Sequence, residues 1–339
     1  MAETVFVTGG SGFVGRAIVR ALIAREYRVR ALARSAASAA KLAALGAEPV
    51  RGDLHDAAAL TEGCTGAAVV VHAAASLTSA LRWGEHARTN VEGTGGLLAA
   101  ARAAGVRRFI YLGAASVVIE GARPSEGDED ALPPRVDRSL PYSATKALAE
   151  AMVLEADSPA MRTVSLRPPM IWGPDAQTLD IIAEAFRAGR FAYVGGGKHL
   201  YSVAHVDNVA EAVSCAVRSD VGGRAYFVTD DEVTPMRTFL TELMATRGVN
   251  AKAWSVPLPL AVLFGWLLTN LFGWFAPRRR PPLTLEDVRL LGQTLHLSSA
   301  RAKKEIGYRA VRSRAEGLAA LRAHGSAVRR SGESPALAH

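Results

Sequence analysis

Tyr142 and Lys146 stand four residues apart, which on a helix puts both side chains on one face. A phenol titrates near pH 10 and is a poor base at neutral pH. A nearby ammonium stabilises the phenolate and lowers that value, so the pair suits proton transfer to or from an alcohol or carbonyl oxygen. The same ammonium can hydrogen-bond the ribose of a nicotinamide cofactor. About 130 residues earlier, Thr4-Val5-Phe6-Val7-Thr8-Gly9-Gly10-Ser11-Gly12-Phe13-Val14-Gly15 reads as a buried strand, a glycine-rich turn and a helix start. Gly9, Gly12 and Gly15 let bare backbone approach a diphosphate. The helix beginning near Phe13 offers unpaired N–H groups and the positive end of its dipole. Ser11, Phe13 and Val14 complete the cofactor-binding turn. Either motif alone is weak, but the two on one chain point to an oxidoreductase.

The second strand ends Leu32-Ala33-Arg34-Ser35. An acidic residue there would bond both ribose hydroxyls of NAD(H) and repel a 2′-phosphate. The chain has Ala33 followed by Arg34, whose guanidinium suits a phosphate dianion, so NADP(H) is favoured while NAD(H) stays open. Gly52-Asp53-Leu54 follows a strand-like segment and offers a carboxylate to an adenine amino group. Ala73 and Ala74 leave room for adenosine at another strand end. His72 beside them reads as a packed core histidine rather than a catalyst. Cys64 and Cys215 have neither metal-ligand nor disulfide spacing. No metal site is expected, and a reducing, cytoplasmic setting is. Strand-like sequence begins almost at once, which argues against a cleavable secretory signal.

Positioning these groups requires an α/β scaffold. Apolar β-rich runs at 5–8, 29–33, 67–72 and 108–112 alternate with Ala-rich helical stretches such as 16–25 and 94–104. That order predicts βαβ units and a Rossmann-like, doubly wound parallel sheet with helices on both faces. A polar stretch at 121–138 reads as a loop, 143–157 as a long helix, and 163–166 and 226–229 as strands. Residues 1–174 are expected to form mainly the NAD(P)-binding domain, with 203–229 interleaved. Residues 175–322 should form mainly a smaller, mostly helical substrate lobe, and 323–339 a disordered tail.

Residues 253–277 contain no charged side chain and are followed by Arg278-Arg279-Arg280. A helix over 260–276 would place Ala261, Gly265, Thr269 and Gly273 in one small-residue stripe, with Leu, Phe and Trp elsewhere. This element reads as a wall of a greasy substrate pocket, a membrane-docking surface or a span. All three favour a hydrophobic small-molecule substrate, and the second adds peripheral membrane contact. The net charge of +8 is concentrated behind this segment: 13 basic and 4 acidic residues lie between 278 and 330. No aromatic-interleaved basic motif or reader module accompanies it, so nucleic acid is not an expected partner. Monomer and homodimer both remain open.

The Gly9–Gly15 turn, Asp53-Leu54, Tyr142-x-x-x-Lys146, Arg167-Pro168-Pro169-Met170-Ile171-Trp172-Gly173-Pro174 and His205-Val206-Asp207-Asn208-Val209-Ala210 resemble the extended short-chain dehydrogenase/reductases. The C-terminal layout is most similar to their 3β-hydroxysteroid dehydrogenase/isomerase-like branch. The resemblance implies hydride transfer at the nicotinamide, Tyr142 as general acid/base, Lys146 on the cofactor, and Pro169 in the cofactor site. It implies a secondary alcohol–ketone interconversion on a steroid, sterol or β-keto lipid. A nucleotide-sugar epimerase or dehydratase, and a non-catalytic NADP-binding sensor or scaffold, are the alternatives. One departure concerns the family's Ser or Thr that bonds the substrate oxygen: Gly113-Ala114 occupies its place. In an extended segment Ser116 faces the same side as Ala114 and takes over that role.

Overall fold

The computed structural model describes residues 2–76, 83–121, 123–275, 281 and 283–331. Seven parallel strands form its central sheet: β1 (Thr4–Thr8), β2 (Arg28–Ala33), β3 (Glu48–Arg51), β4 (Val69–His72), β5 (Arg108–Leu112), β6 (Arg162–Arg167) and β7 (Arg224–Phe227). Their spatial order is β7-β6-β5-β4-β1-β2-β3. The chain reverses direction across the sheet beside β1, which makes the carboxyl ends of β1 and β4 a topological switch point where such sheets bind ligands.

Residue alternation explains why helices cover both faces. Val5, Val7, Ile110 and Leu112 share one core with Ile18 and Leu22 of α1 (Phe13–Ile23). Phe6, Val70, Phe109 and Tyr111 point the other way. Connections α2 (Ala36–Ala44), α3 (Ala57–Cys64), α4 (Trp83–Ala87), α5 (Gly93–Ala103) and α6 (Pro141–Glu155) follow along the chain. Leu60, Leu97 and Val153, from α3, α5 and α6, fill the second core. The remaining helices are α7 (Gln177–Arg187), α8 (Val206–Arg218), α9 (Met236–Ala245), α10 (Leu258–Phe275), α11 (Leu285–Leu291), α12 (Ala300–Glu305) and α13 (Arg314–Ser331). Of these, α8 returns to the sheet and packs with α1 on the first face. A separate core joins α7 and α9 through Leu179, Phe186, Phe239 and Leu243, and forms the centre of the smaller lobe.

Two expectations about chain order need correction. Residues 125–127 lie within the anticipated loop but form a short strand paired with Leu295–Leu297, a partner no local pattern announces. Helix α13 continues to Ser331, so the tail expected to be disordered from 323 is helical through that residue; 332–339 lie outside the described residues.

The apolar segment forms α10, close to the expected span. Ala261 and Gly265 are buried, and Thr269 accepts a hydrogen bond from the Leu285 N–H at 3.0 Å. A Cβ at Gly265 would lie 3.1 Å from the Thr284 carbonyl oxygen, so that glycine permits close approach to α11. Gly273 departs from the stripe's expected role and is exposed. The bulky face points outward: Phe264 and Trp266 are about half exposed and Trp274 is 84% exposed. That excludes these side chains as walls of an enclosed pocket. Arg278, Arg279 and Arg280 lie outside the described residues.

Candidate active site

The glycine-rich turn joins β1 to α1 at the switch point. Gly9 has φ +74°, and a Cβ there would sit 2.6 Å from Ala74 N and 2.7 Å from Ala73 C. A Cβ on Gly15 would lie 2.0 Å from the Gly9 carbonyl oxygen. These two glycines therefore serve the turn's own packing. Gly12 differs: it is exposed, with Gly9 O as its only near contact at 3.3 Å. It is the N-cap of α1 and supplies no side-chain cap to the first turn. Bare backbone, uncapped N–H groups and a helix dipole thus converge on one open position, as a diphosphate requires. Ser11 is half-buried, while Phe13 packs toward the lobe core and Val14 toward the sheet core.

The other cofactor candidates surround this turn unevenly. Arg34 is exposed at the end of β2, followed by Ser35, which caps α2 in a reciprocal box with Ser38. Asp53 is exposed, and its Oδ1 accepts from the His55 N–H at 2.7 Å. Leu54 is buried under Gly93, so its role visible here is packing. Ala73 and Ala74 border Gly9 directly. Pro169 is buried just after β6, next to Pro168, whose carbonyl accepts from the Ala115 N–H at 2.9 Å.

His72 is a core histidine, as expected. Its Nε2 meets Thr94 Oγ1 at 2.9 Å and its Nδ1 meets Thr8 Oγ1 at 2.7 Å. Thr94 donates its own proton to Asn90 O at 2.5 Å, so it receives one from His72 Nε2–H, and Thr8 donates to Nδ1. Burial, then Lys146, pulls this imidazole down to about 3, so it stays neutral.

Helix α6 carries Tyr142 and Lys146 on one face, but the pair is not poised as expected. The Lys146 ammonium is buried, donates to Leu112 O at 2.6 Å, and sits 4.1 Å from the Tyr111 ring centroid. Burial pulls it down to about 7 against the opposing pull of Glu150. Tyr142 moves opposite to the sequence expectation: burial, then the Glu286 carboxylate, raise its phenol above the ordinary value. The His86 ring lies 6.3 Å from the Tyr142 ring, edge to face.

Ser116 also departs from its premise. Ala114 is extended at φ −154°, but Ala115–Val118 then turn into a 3₁₀ helix, so Ser116 does not follow Ala114 in strand alternation. Its Oγ is buried without a hydrogen-bond partner among the described residues. Gly113 has a structural reason. A Cβ there would come 2.8 Å from Ser165 Oγ and 3.3 Å from Glu150 Oε2. That carboxylate is held by Ser165 and in two-point contact by Arg167, all buried.

Two groups escaped sequence reasoning. Asn90 lies in a single π turn (Arg88–Glu92), a distortion frequent at functional sites. Its Oδ1 accepts from Ser76 N at 2.9 Å and its Nδ2 donates to Thr145 Oγ1 at 3.0 Å, tying the segment after β4 to α6. Glu286 reaches α6 from the lobe and accepts from Ser143 N at 2.9 Å and Ser143 Oγ at 2.7 Å. In the sequence, Asn90-Val91-Glu92-Gly93-Thr94 reads only as the opening of a helix, which names no role for Asn90. Among the described residues, no His, Cys, Asp and Glu cluster could hold a metal ion.

Comparison with known proteins agrees with this geometry. The model of the 3-beta hydroxysteroid dehydrogenase/isomerase family matches residues 6–260. The chain is 40% identical over 324 residues to the 4-hydroxy-2-methyl-3-oxo-4-farnesyl-3,4-dihydroquinoline-1-oxide ketoreductase of Stigmatella aurantiaca, covering 95% of this chain and 96% of that protein. It is 34% identical to the 2-alkyl-3-oxoalkanoate reductase of Stenotrophomonas maltophilia, covering 95% and 99%. The solved structure of gox2253 superposes with a TM-score of 0.76 at 27% identity, covering 97% of this chain and 99% of that one.

Proposed function

Because the chain belongs to the 3-beta hydroxysteroid dehydrogenase/isomerase family, we propose that Tyr142, Lys146 and Ser116 carry its chemistry and that its physiological direction is ketone reduction. The protein is an NAD(P)-dependent oxidoreductase interconverting a secondary alcohol and a ketone on a hydrophobic substrate. The observation that carries the finer reading is geometric: Tyr142 and Lys146 share one face of α6, and the buried Ser116 hydroxyl has no hydrogen-bond partner among the described residues. The nicotinamide cofactor, when bound, supplies or accepts hydride at the substrate carbon. Gly12 and the first N–H groups of α1 would hold its diphosphate, with Ala73 and Ala74 beside the adenosine and Pro169 toward the nicotinamide. Tyr142 gives its proton to the carbonyl oxygen. Ser116, whose hydroxyl has no competing partner among the described residues, bonds the same oxygen. Lys146, buried on the same helix, serves the cofactor ribose.

The cofactor preference we propose is NADP(H). Arg34 is free to meet solvent at the end of β2, and no acidic side chain replaces it at Ala33. The substrate class we propose is a β-keto compound with a long apolar chain. The names of the two relatives describe a farnesylated 3-oxo compound and an alkylated 3-oxoalkanoate. We also propose that α10 docks on lipid. It is the one described helix long and apolar enough to cross a membrane by length and composition, and 11% of it is buried. Its small face is already occupied by α11, which leaves the bulky face for the lipid surface.

The deciding experiment is Tyr142→Phe. NADPH binding should survive while turnover of a 2-alkyl-3-oxo acid falls on the order of 10²-fold or more, the usual contribution of general acid catalysis. Near-normal turnover in the Phe variant would eliminate Tyr142 as the proton donor.

A further inference from the structure

We propose that Glu286 is a positioning residue for this proton transfer: reaching across from α11, it fixes the first turn of the helix that carries Tyr142 and sets a carboxylate beside that residue. The inference rests on the reading of Tyr142 as proton donor. Helix α6 begins at Pro141, and its N-cap Leu140 offers no side-chain acceptor. Its first N–H groups therefore need partners from elsewhere. Glu286 Oε1 takes the Ser143 N–H and hydroxyl, and Oε2 lies 3.4 Å from Tyr142 N. A carboxylate at a helix N-terminus is also favoured by the helix dipole.

The clamp is built rather than incidental. Thr284 and Asp287 form a reciprocal capping box that starts α11 one residue before Glu286. Three residues later, Arg289 donates to Asp137 Oδ2 at 2.9 Å and lies 3.3 Å from Ser139 Oγ, just ahead of α6. On the other side, the Leu285 N–H is held by Thr269 of α10. One short helix thus grips the start of α6 at two points.

Charge completes the case. The groups facing Tyr142 are Glu286 from α11, His86 from α4 and Tyr111 from β5. Lys146 is turned to the Leu112 carbonyl, and Tyr111 is itself held protonated by burial, then by Tyr142 and Glu150. Glu286 supplies the negative charge that opposes a phenolate. Its own carboxyl is raised by burial against the hydrogen bonds it accepts.

The test compares the full chain with Glu286→Gln and Glu286→Ala in NADPH-dependent ketone reduction from pH 7 to 11. Gln keeps an acceptor oxygen and loses the charge. Its descending alkaline limb of kcat should move to lower pH by roughly one unit. In alcohol oxidation the rising limb should move the same way. Ala should additionally lower kcat about tenfold, the scale of one lost buried hydrogen bond. Circular dichroism at each pH corrects kcat for the fraction folded, so a less stable variant still reports. Unmoved limbs in Glu286→Gln, with activity that tracks stability alone, overturn the proposal. Tyr142→Phe separates the two ideas. Near-normal turnover there ends the underlying reading, whereas an inactive Phe variant beside an unmoved Gln limb ends only the role of Glu286.

Discussion

Gly12 and Gly15 sit three residues apart in the same turn, yet alanine should damage them differently. At Gly15 the new methyl meets only backbone: Gly9 O at 2.0 Å and Gly10 Cα at 2.7 Å. Alanine gains about 1 kcal/mol of intrinsic helix preference. Forcing backbone apart costs about 1–3 kcal/mol. The variant should therefore lose up to about 2 kcal/mol of stability and distort the turn. At Gly12, φ −76° and ψ 176° are ordinary for alanine, and the nearest atom is 3.3 Å away. The fold should lose no more than about 1 kcal/mol, the cost of a poor N-cap. The methyl instead fills the space before the uncapped N–H groups. Losing one charge-assisted contact costs about 1.5–3 kcal/mol, or roughly tenfold to a hundredfold in affinity. Urea unfolding reads the first quantity and NADPH fluorescence titration the second. Gly12→Ala should lose no more than about 1 kcal/mol by urea unfolding and lose NADPH at least about tenfold. Binding within twofold of wild type would refute the assignment of the diphosphate to this turn.

Arg34→Ala should weaken NADPH by about 1.5–3 kcal/mol and leave NADH nearly unchanged; equal wild-type affinity for the two cofactors, by titration, would remove the preference. His72, drawn from 6.5 to about 3, leaves the unfolded chain with an extra proton between those values. Stability is full above pH 6.5 and falls as the pH drops below it, by about 2 kcal/mol at pH 5 from this group. His205, drawn to about 4 by burial despite Asp207, adds the same sign. Urea midpoints of His72→Gln should show a shallower loss between pH 7 and 5, and an unchanged slope would refute the neutral-core account. Replacing Trp266 and Trp274 with Ser should abolish most sedimentation with anionic liposomes while sparing turnover of a soluble short-chain substrate; wild-type protein that ignores liposomes would reject docking.

What the sequence made legible follows from where the determining contacts lie. The strands, the turn and the long helix are set by neighbours along the chain: Val-rich runs, three glycines, and Tyr and Lys at helical spacing. Each appears within a few residues of its expected bounds. Orientation inside the site is set by partners far away in sequence. Lys146 was expected beside the phenol, but the Leu112 carbonyl, 34 residues earlier, takes its ammonium. Ser116 was expected to follow strand alternation, but the tie from Ala115 N to Pro168 O accompanies a tight 3₁₀ turn. Gly113 marks not a lost hydroxyl alone but the buried Glu150–Arg167–Ser165 group beneath it. Glu286 acts from 143 residues away on a helix start that lacks a local cap, and no periodicity in either segment carries that information. The outward face of α10 was partly legible because small residues at every fourth position permit a close contact on one side of a helix. Ala261 is buried, Gly265 packs on α11 and Thr269 bonds to it. Gly273, near the helix end, is open to solvent, so the contact stops at Thr269 and Trp274 beyond it stays exposed.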